Sequence, residues 1–540
     1  MVFIKTYGRT TILASYSEKE LLNKDQKELD KAISEILINA DGIHSKNNTD
    51  TLTLKAYYNG DQDIKNKEKF TREEINHKIV ENWAYAIVDF KKAYLLGEPI
   101  QYTQLNDAGG KEISNLNQYV SYENKDEKDK DLYEDMLVCG RGFRYINKDR
   151  KGEEDEAPFE IINCPVENTE VVYSNMLGNE QLFAYIVTPM MYPIENDGNN
   201  AITVTKPKTY NIYTVYLRNK VITYSDKSGT ITRIKMELDD GKEVDEIPLL
   251  WEEHIITEYS LNRQRISLIE IGKDLFDNIN LVESLDADDF DQYVNAIMVF
   301  TNVDVDGEDI ASIRQQGAVC INSTDQKKAS VDLLKDKINS PDTQVYYNRI
   351  KTALFQILGV PIASDTGSIE SGDTGKAKLV GQGFATSGIR IKNDMTVFKK
   401  SDRNALKVIL KICNSVKDSG ISSLKVSDIN TQFLIDKSEN LLVKTQALQT
   451  LYACDIPREF ANSIVDLFSD SNAVTTAQKD LFGEQISQQN KTQSQNVNDM
   501  SNESEENVND DTDKFVNDDD KANNQNNKIT NTLERNEQGQ

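Results

Sequence analysis

The sequence is poor in the residues that build reaction centres. Only three histidines occur, His44, His77 and His254, and they sit in unrelated contexts. Five cysteines (Cys139, Cys164, Cys320, Cys413, Cys454) are odd in number, far apart and form no C-x-x-C pair. A zinc site needs clustered thiolate or imidazole ligands, and that spacing supplies none. The same spacing argues against a disulfide framework and fits a reducing compartment. The opening MVFIKTYGRT lacks the apolar stretch of a secretory signal. No apolar run approaches the ~18 residues needed to span a bilayer, so a soluble intracellular chain without a membrane role is expected.

Nucleophile and phosphate motifs are missing too. No G-x-S-x-G elbow is present. Gly372-Asp-Thr-Gly375-Lys376 comes nearest to a phosphate loop. Gly367 and Gly372 have the G-x-x-x-x-G spacing, but Asp373 follows them where Lys belongs. Residue 377 is Ala where Ser or Thr would hold Mg²⁺, and no strand runs into the segment. Acid pairs such as Asp288-Asp289 are ordinary in so acidic a chain. No catalytic residue, metal ligand or cofactor is assigned.

What the chain does have is length and negative charge. At 540 residues it is long enough for three or four domains, and 38% hydrophobic content supports modest cores. Lys and Arg total 62 against 89 Asp and Glu, a net charge of −27. Such a balance opposes a protein that coats nucleic acid through phosphate contacts. From Glu484 to Gln540 there are 21 Asn or Gln, 13 acids, 5 bases and a single aromatic, Phe515. That composition cannot bury enough apolar area to offset backbone entropy, so a disordered acidic tail is expected.

Helical spacing begins at Ser17–Ala40, where Ser17 and Glu20 form a capping box. A polar loop, GIHSKNNTD, should follow, and then a helix over Thr71–Leu96 capped by Thr71 with Glu74 and stopped by Gly97 and Pro99. Between about 101 and 256 the period becomes that of short antiparallel strands, among them EIINCPV, EVVYSN, LFAYIVTPM, TYNIYTVYL and VITYSD, with one helix near Leu132–Val138. From Ile266 to Met298 a long amphipathic helix returns, with a kink expected at SLDADD. A strand–helix–strand module follows, then a helix over 342–358, a polar Gly/Ser/Asp loop, and helices over 379–416 and 426–482. Two long helices bracketing a small module suit a wall packed against copies of itself.

Several local sequences carry a resemblance: KAYYNGDQDI, INHKIVENWAYAIVDFKKAYLLGEPIQYT, EIPLLWEEHI, ISLIEIGKDLFDNINLVESLDADDFDQYVNAIMVF and SGDTGKAKLV. In that order, over roughly residues 50–415, they resemble the portal (head-to-tail connector) proteins of tailed bacteriophages, of the type found in siphophages of Gram-positive bacteria. The resemblance implies an α+β, multi-domain portal architecture. Residues 1–265 would form an N-terminal arm and α/β wing, 266–298 a stem helix, 299–341 a small α/β clip and 342–360 a second stem helix. A tunnel loop would occupy 361–378, with a long helix returning to the wing over 379–435. A helical crown would span 436–483, and the tail 484–540.

The implied function is a non-enzymatic ring, of about twelve copies, at one capsid vertex. Double-stranded DNA would pass through its channel in packaging and ejection. The partners implied are the terminase large subunit, the major capsid and scaffolding proteins and the head–tail connector proteins. The implied place is the virion, with host cytoplasm during assembly. Gly367, Gly372, Gly375, Lys376 and Lys378 would face DNA in the tunnel loop, and Leu268, Leu275, Ile279 and Val282 would serve stem oligomerisation. Two other readings stay open: a nucleotide-dependent packaging or DNA-processing enzyme using residues 372–376, and a monomeric minor virion protein.

Overall fold

The computed structural model describes residues 8–70, 73–105, 110–148, 157–191, 209–238, 241–294, 297–301, 330–334, 340–361, 384–417, 419–433, 441–454, 456–457 and 461–462. Residues up to Thr450 form one compact unit and those from Leu451 a second. The architecture is mixed α/β. The tunnel-loop residues Gly367, Gly372, Gly375, Lys376 and Lys378, most of the clip and crown, and the acidic tail lie outside the described residues.

A seven-stranded sheet carries the first core. Strand β1 (Ile12–Ala14) runs parallel to β5 (Thr169–Ser174). Then β6 (Gln181–Met191), β7 (Thr209–Tyr216), β8 (Lys220–Ser225) and β12 (Ile247–Pro248) follow as antiparallel neighbours, β9 (Thr232–Ile234) also pairs with β8, and β10 (Met236–Glu237) pairs with β11 (Glu243–Val244). Helix α2 (Gln26–Tyr58), preceded by the short α1 (Glu18–Leu22), lays Leu29, Ile33 and Leu37 in one cluster with Val172, Phe183, Val215 and Ile222 of the sheet. Each such side chain contributes ~1.5–3 kcal/mol of transfer free energy before entropy is counted.

The segment expected to be a polar loop after Ala40 is helix throughout. Its polar residues are internal: His44, Asn47 and Thr51 are all buried. Asn47 donates to Glu170 Oε1 at 3.0 Å and to the Thr10 carbonyl at 2.9 Å. Arg141 grips the same Glu170 through two 2.7 Å bonds. Burial alone would raise the Glu170 pKa, but the Arg141 guanidinium holds it down at about 2. A buried polar face reads as a loop when only apolar spacing is counted.

The second core surrounds a three-stranded sheet, β13 (Ile256–Ser260), β3 (Arg141–Lys148) and β4 (Phe159–Cys164). Against it pack α5 (Lys125–Cys139) and α8 (Phe384–Ser415), while α3 (Trp83–Leu96) packs on α5. Helix α4 (Gly110–Tyr122) and the pair β2 (Gln101–Gln104) with β16 (Ile429–Gln432) close one side. A buried polar network crosses this core. Arg144 and Lys125 both bond Asp129, Lys125 also reaches Asp402 at 3.3 Å, and Tyr102 donates to Asp402 at 2.9 Å. Two cations face two anions, so the buried charge is balanced and each partner depends on the others.

Helices α6 (Leu268–Val294) and α7 (Ser340–Leu358) pack against each other as a helical hairpin, with β14 (Ile297–Thr301) and β15 (Ser330–Leu334) paired antiparallel between them in sequence. Helix α6 runs unbroken through Ser284–Asp289. The helix expected from Thr71 starts only at Trp83. Asn82 caps it, its side chain accepting from the Tyr85 amide.

Candidate functional site

Helix α6 presents three faces. Leu268, Ile269, Gly272, Phe276 and Ile279 point into the chain's own core. At Gly272 an added Cβ would lie 2.7 Å from the Phe276 ring and 3.1 Å from Leu354 of α7, so the absence of a side chain leaves room for both. Of the residues expected to serve oligomerisation, Leu268 and Ile279 are therefore enclosed within the subunit, and Leu275 and Val282 are half-buried against the same core. The outward face carries Ile271, Leu281 and Leu285, exposed by 49%, 39% and 44%, interleaved with Asp274 and Asn278. Phe290 near the end of α6 and Val345 and Tyr346 on α7 are likewise exposed.

The third face is polar and taken up by residues 77–81. The His77 amide donates to Asp288 Oδ1 at 2.7 Å, the Ile79 amide to Ser284 Oγ at 3.0 Å and the Glu81 amide to Asn280 Oδ1 at 2.8 Å. Every second residue of the strap thus meets every fourth residue of the helix. The steps match, because two extended residues rise ~6.6 Å and four helical ones ~6.0 Å. These amides are spent on α6, which is why the segment is not the helix its apolar spacing suggests. The polar trio at i, i+4 and i+8 was visible in the sequence, but its partner was not.

The strap is fastened at both ends. Asp288, whose side chain is 1% exposed, also accepts from Lys67 at 2.8 Å and Lys69 at 3.2 Å, and His77 Nδ1 lies 3.0 Å away. Burial alone would raise its pKa, but those hydrogen bonds outweigh it and hold the carboxyl well below the usual range. At the other end, Tyr347 of α7 donates to Glu81 Oε1 at 2.7 Å, and Trp83 packs edge-on against Phe355. Residues 77–83 therefore bind both helices of the hairpin.

The start of α6 is locked as well. Ser267 and Glu270 form a reciprocal capping box, with bonds of 2.9 and 2.8 Å. Glu270 Oε1 also accepts from the Gly8 amide at 3.1 Å and from the buried Arg9. Gly140 (φ +82°) sits where an added Cβ would lie 2.1 Å from the Arg265 carbonyl, so a side chain has no room at this junction.

Among the described residues no group of His, Cys, Asp or Glu is placed to hold a metal ion. Nor is any described helix long and apolar enough to cross a membrane. The geometry is that of a braced helical hairpin with an uncovered apolar stripe. A family model described as phage portal protein, SPP1 Gp6-like, matches residues 40–419. The chain belongs to that family. The match takes in the strap, both hairpin helices and most of the two cores. The portal protein of Bacillus phage SPP1 is 23% identical over 357 residues, which cover 63% of this chain and 64% of that relative. The matched stretch thus spans less than two thirds of either protein.

Proposed function

We propose that the protein is a portal subunit. Copies assemble into a ring of about twelve at one capsid vertex, and double-stranded DNA passes through the ring in packaging and ejection. The α6–α7 hairpin is the stem, with the segment between its helices as the clip that docks terminase and, later, the connector proteins. Residues 361–378 form the tunnel loop, with Lys376 and Lys378 facing the duplex. Capsid and scaffolding proteins surround the outer part. The observation that carries this reading is the stripe of Ile271, Leu281 and Leu285 on a helix whose other two faces are already occupied. A repeated copy covers such a stripe by a head-to-tail contact that closes into a ring. The neighbour-facing residues are then these three, with Leu275 and Val282 at the margin and Leu268 and Ile279 supporting from inside.

The chain contributes no chemistry in this scheme. A net charge of −27 leaves the acidic parts of the surface repulsive to phosphate within a Debye length of ~8 Å, which opposes a duplex sticking along its whole path. Light scattering across a concentration series tests the reading. A discrete mass near twelve times 61.2 kDa is expected. Leu281→Asp with Leu285→Asp should reduce it to monomer while far-UV circular dichroism stays unchanged. A ring that survives both substitutions would remove the stripe from the assembly.

A further inference from the structure

Helix α8 reverses the charge balance of the chain. Over Phe384–Ser415 it holds seven cations and only two acids, Asp394 and Asp402. Asp402 is fully buried in the Lys125 network, and Asp394 accepts from Tyr133 with Lys91 beside it. The outward residues of α8 recur at three- and four-residue steps: Lys392, Thr396, Lys400, Arg403, Lys407, Lys411 and Asn414. Five of the seven are cations and none is an acid. Lys411 is paired with Glu253 at 2.9 Å. Lys392, Lys400 and Arg403 make no ion pair among the described residues, and Lys407 makes only a 3.4 Å contact to Asn404. Arg263 lines the same cleft as Lys400 and Asn404, adding a further cation beside the row.

Like charges at i and i+4 disfavour a helix, so the run of Lys399, Arg403, Lys407 and Lys411 opposes the stability of the element that carries it. A chain with a surplus of acids could have interleaved them here and does not. A large polyanion is the occupant whose chemistry fits. No large apolar side chain is exposed from Lys392 onward, Ile389 being the last on this helix. A protein partner would need an apolar centre to its interface, whereas phosphate contacts are made by Lys, Arg, Asn and Thr. From Lys392 to Lys411 the row extends ~28 Å along the axis. That length runs beside roughly eight phosphates of one duplex strand.

We propose that the outer face of α8 binds the phosphate backbone of double-stranded DNA, without reading its sequence, through Lys400, Arg403 and Lys407 with Lys392 and Arg263 at the margins. The site is distinct from residues 361–378. The identity of the polyanion rests on the conduit reading; the location rests on α8 and the neighbouring Arg263. An acidic protein with one basic row would thus hold DNA against one surface and repel it from the rest.

The test is fluorescence anisotropy of a labelled 30-base-pair duplex with the full chain across about 50–200 mM salt. Wild type is expected to bind with a salt dependence of about 0.9 per phosphate neutralised. The combined variant Lys400→Gln, Arg403→Gln, Lys407→Gln should lose two to three of those contacts' worth of slope and bind at least about tenfold more weakly. The pair Lys27→Gln, Lys31→Gln on α2 should bind as wild type. Unchanged duplex binding in the triple variant overturns the proposal, as does poly-L-glutamate bound as tightly as DNA at equal salt. A triple variant that alters only the light-scattering mass makes α8 an interface between copies and also overturns it. The same samples separate the two readings. A chain that stays at 61.2 kDa but loses duplex binding in the triple variant keeps this site and defeats the ring; a ring indifferent to the triple variant does the reverse.

Discussion

Lys351 holds its ammonium group 4.6 Å from the centroid of the Trp83 ring, with Tyr347 and Phe355 at 5.7 and 5.9 Å. The cation of one hairpin helix is thereby lodged against the first residue of α3. An ammonium over an indole face is stabilised by the ring quadrupole, by up to ~2 kcal/mol where water is partly excluded.

Lys351→Met keeps most of the aliphatic stem and removes the charge. A loss of about 1 kcal/mol is expected, read as a lower urea midpoint at unchanged slope. No shift in midpoint would mean that packing alone joins α7 to Trp83.

Asp288→Asn keeps an acceptor for the His77 amide but leaves Lys67 and Lys69 without their anion. The expected loss at pH 7 is about 2 kcal/mol. The folded carboxyl titrates below its unfolded value, so its contribution is complete above about pH 4 and fades as pH falls toward the folded value. Stability curves of wild type and variant should therefore run parallel near pH 5 and converge in acid. Curves that stay parallel to pH 2.5 would show that Asp288 acts through shape and not through charge.

Asp135 behaves oppositely. Burial raises its carboxyl to about 7, despite Lys55 at 3.7 Å, whose shorter bond of 2.8 Å goes to Glu167. The folded state keeps this proton while the unfolded chain releases it near pH 4, so the group lowers stability as pH rises from about 4 to 7. Asp135→Asn should be nearly neutral at pH 4 and stabilise by about 2 kcal/mol at pH 8. Thermal melts at the two pH values decide it; an equal change at both would place the ionisation elsewhere.

Ile279→Asp and Leu285→Asp separate folding from assembly. Ile279 is fully enclosed, and a carboxylate there should cost at least about 3 kcal/mol and lower the melting temperature. Leu285 is 44% exposed, so its substitution should leave the melting temperature within a degree or two while the ring mass falls. Reversal of the two outcomes would exchange the inner and outer faces of α6.

Alternating Val, Ile, Thr and Tyr named β4 to β8 from sequence, and 3.6-residue spacing named α6, α7 and α8, because each buries apolar side chains on one side. Elements held by polar burial escaped that reading. The α2 stretch around His44 and Asn47 looked like a loop since its partner, Glu170, is 123 residues away from Asn47. The strap looked like the start of a helix since its amides are satisfied by Asn280, Ser284 and Asp288, about 200 residues on. For α6, spacing located the apolar residues but could not say which faced inward: Ile279 and Leu281 are two residues apart and on different faces. The basic row on α8 was legible as composition and was hidden by an overall charge of the other sign.

The three strap bonds also set how the hairpin responds to force. A pull along the α6 axis loads all three rungs together, each sharing the tension, and nothing yields until the whole set shears. A pull perpendicular to the axis loads only the terminal rung and opens them one after another, as a zipper opens. The brace is thus stiff against sliding and compliant against peeling. Peeling the strap from α6 must begin at one end, either at His77 with its lysines or at Glu81 beside Tyr347.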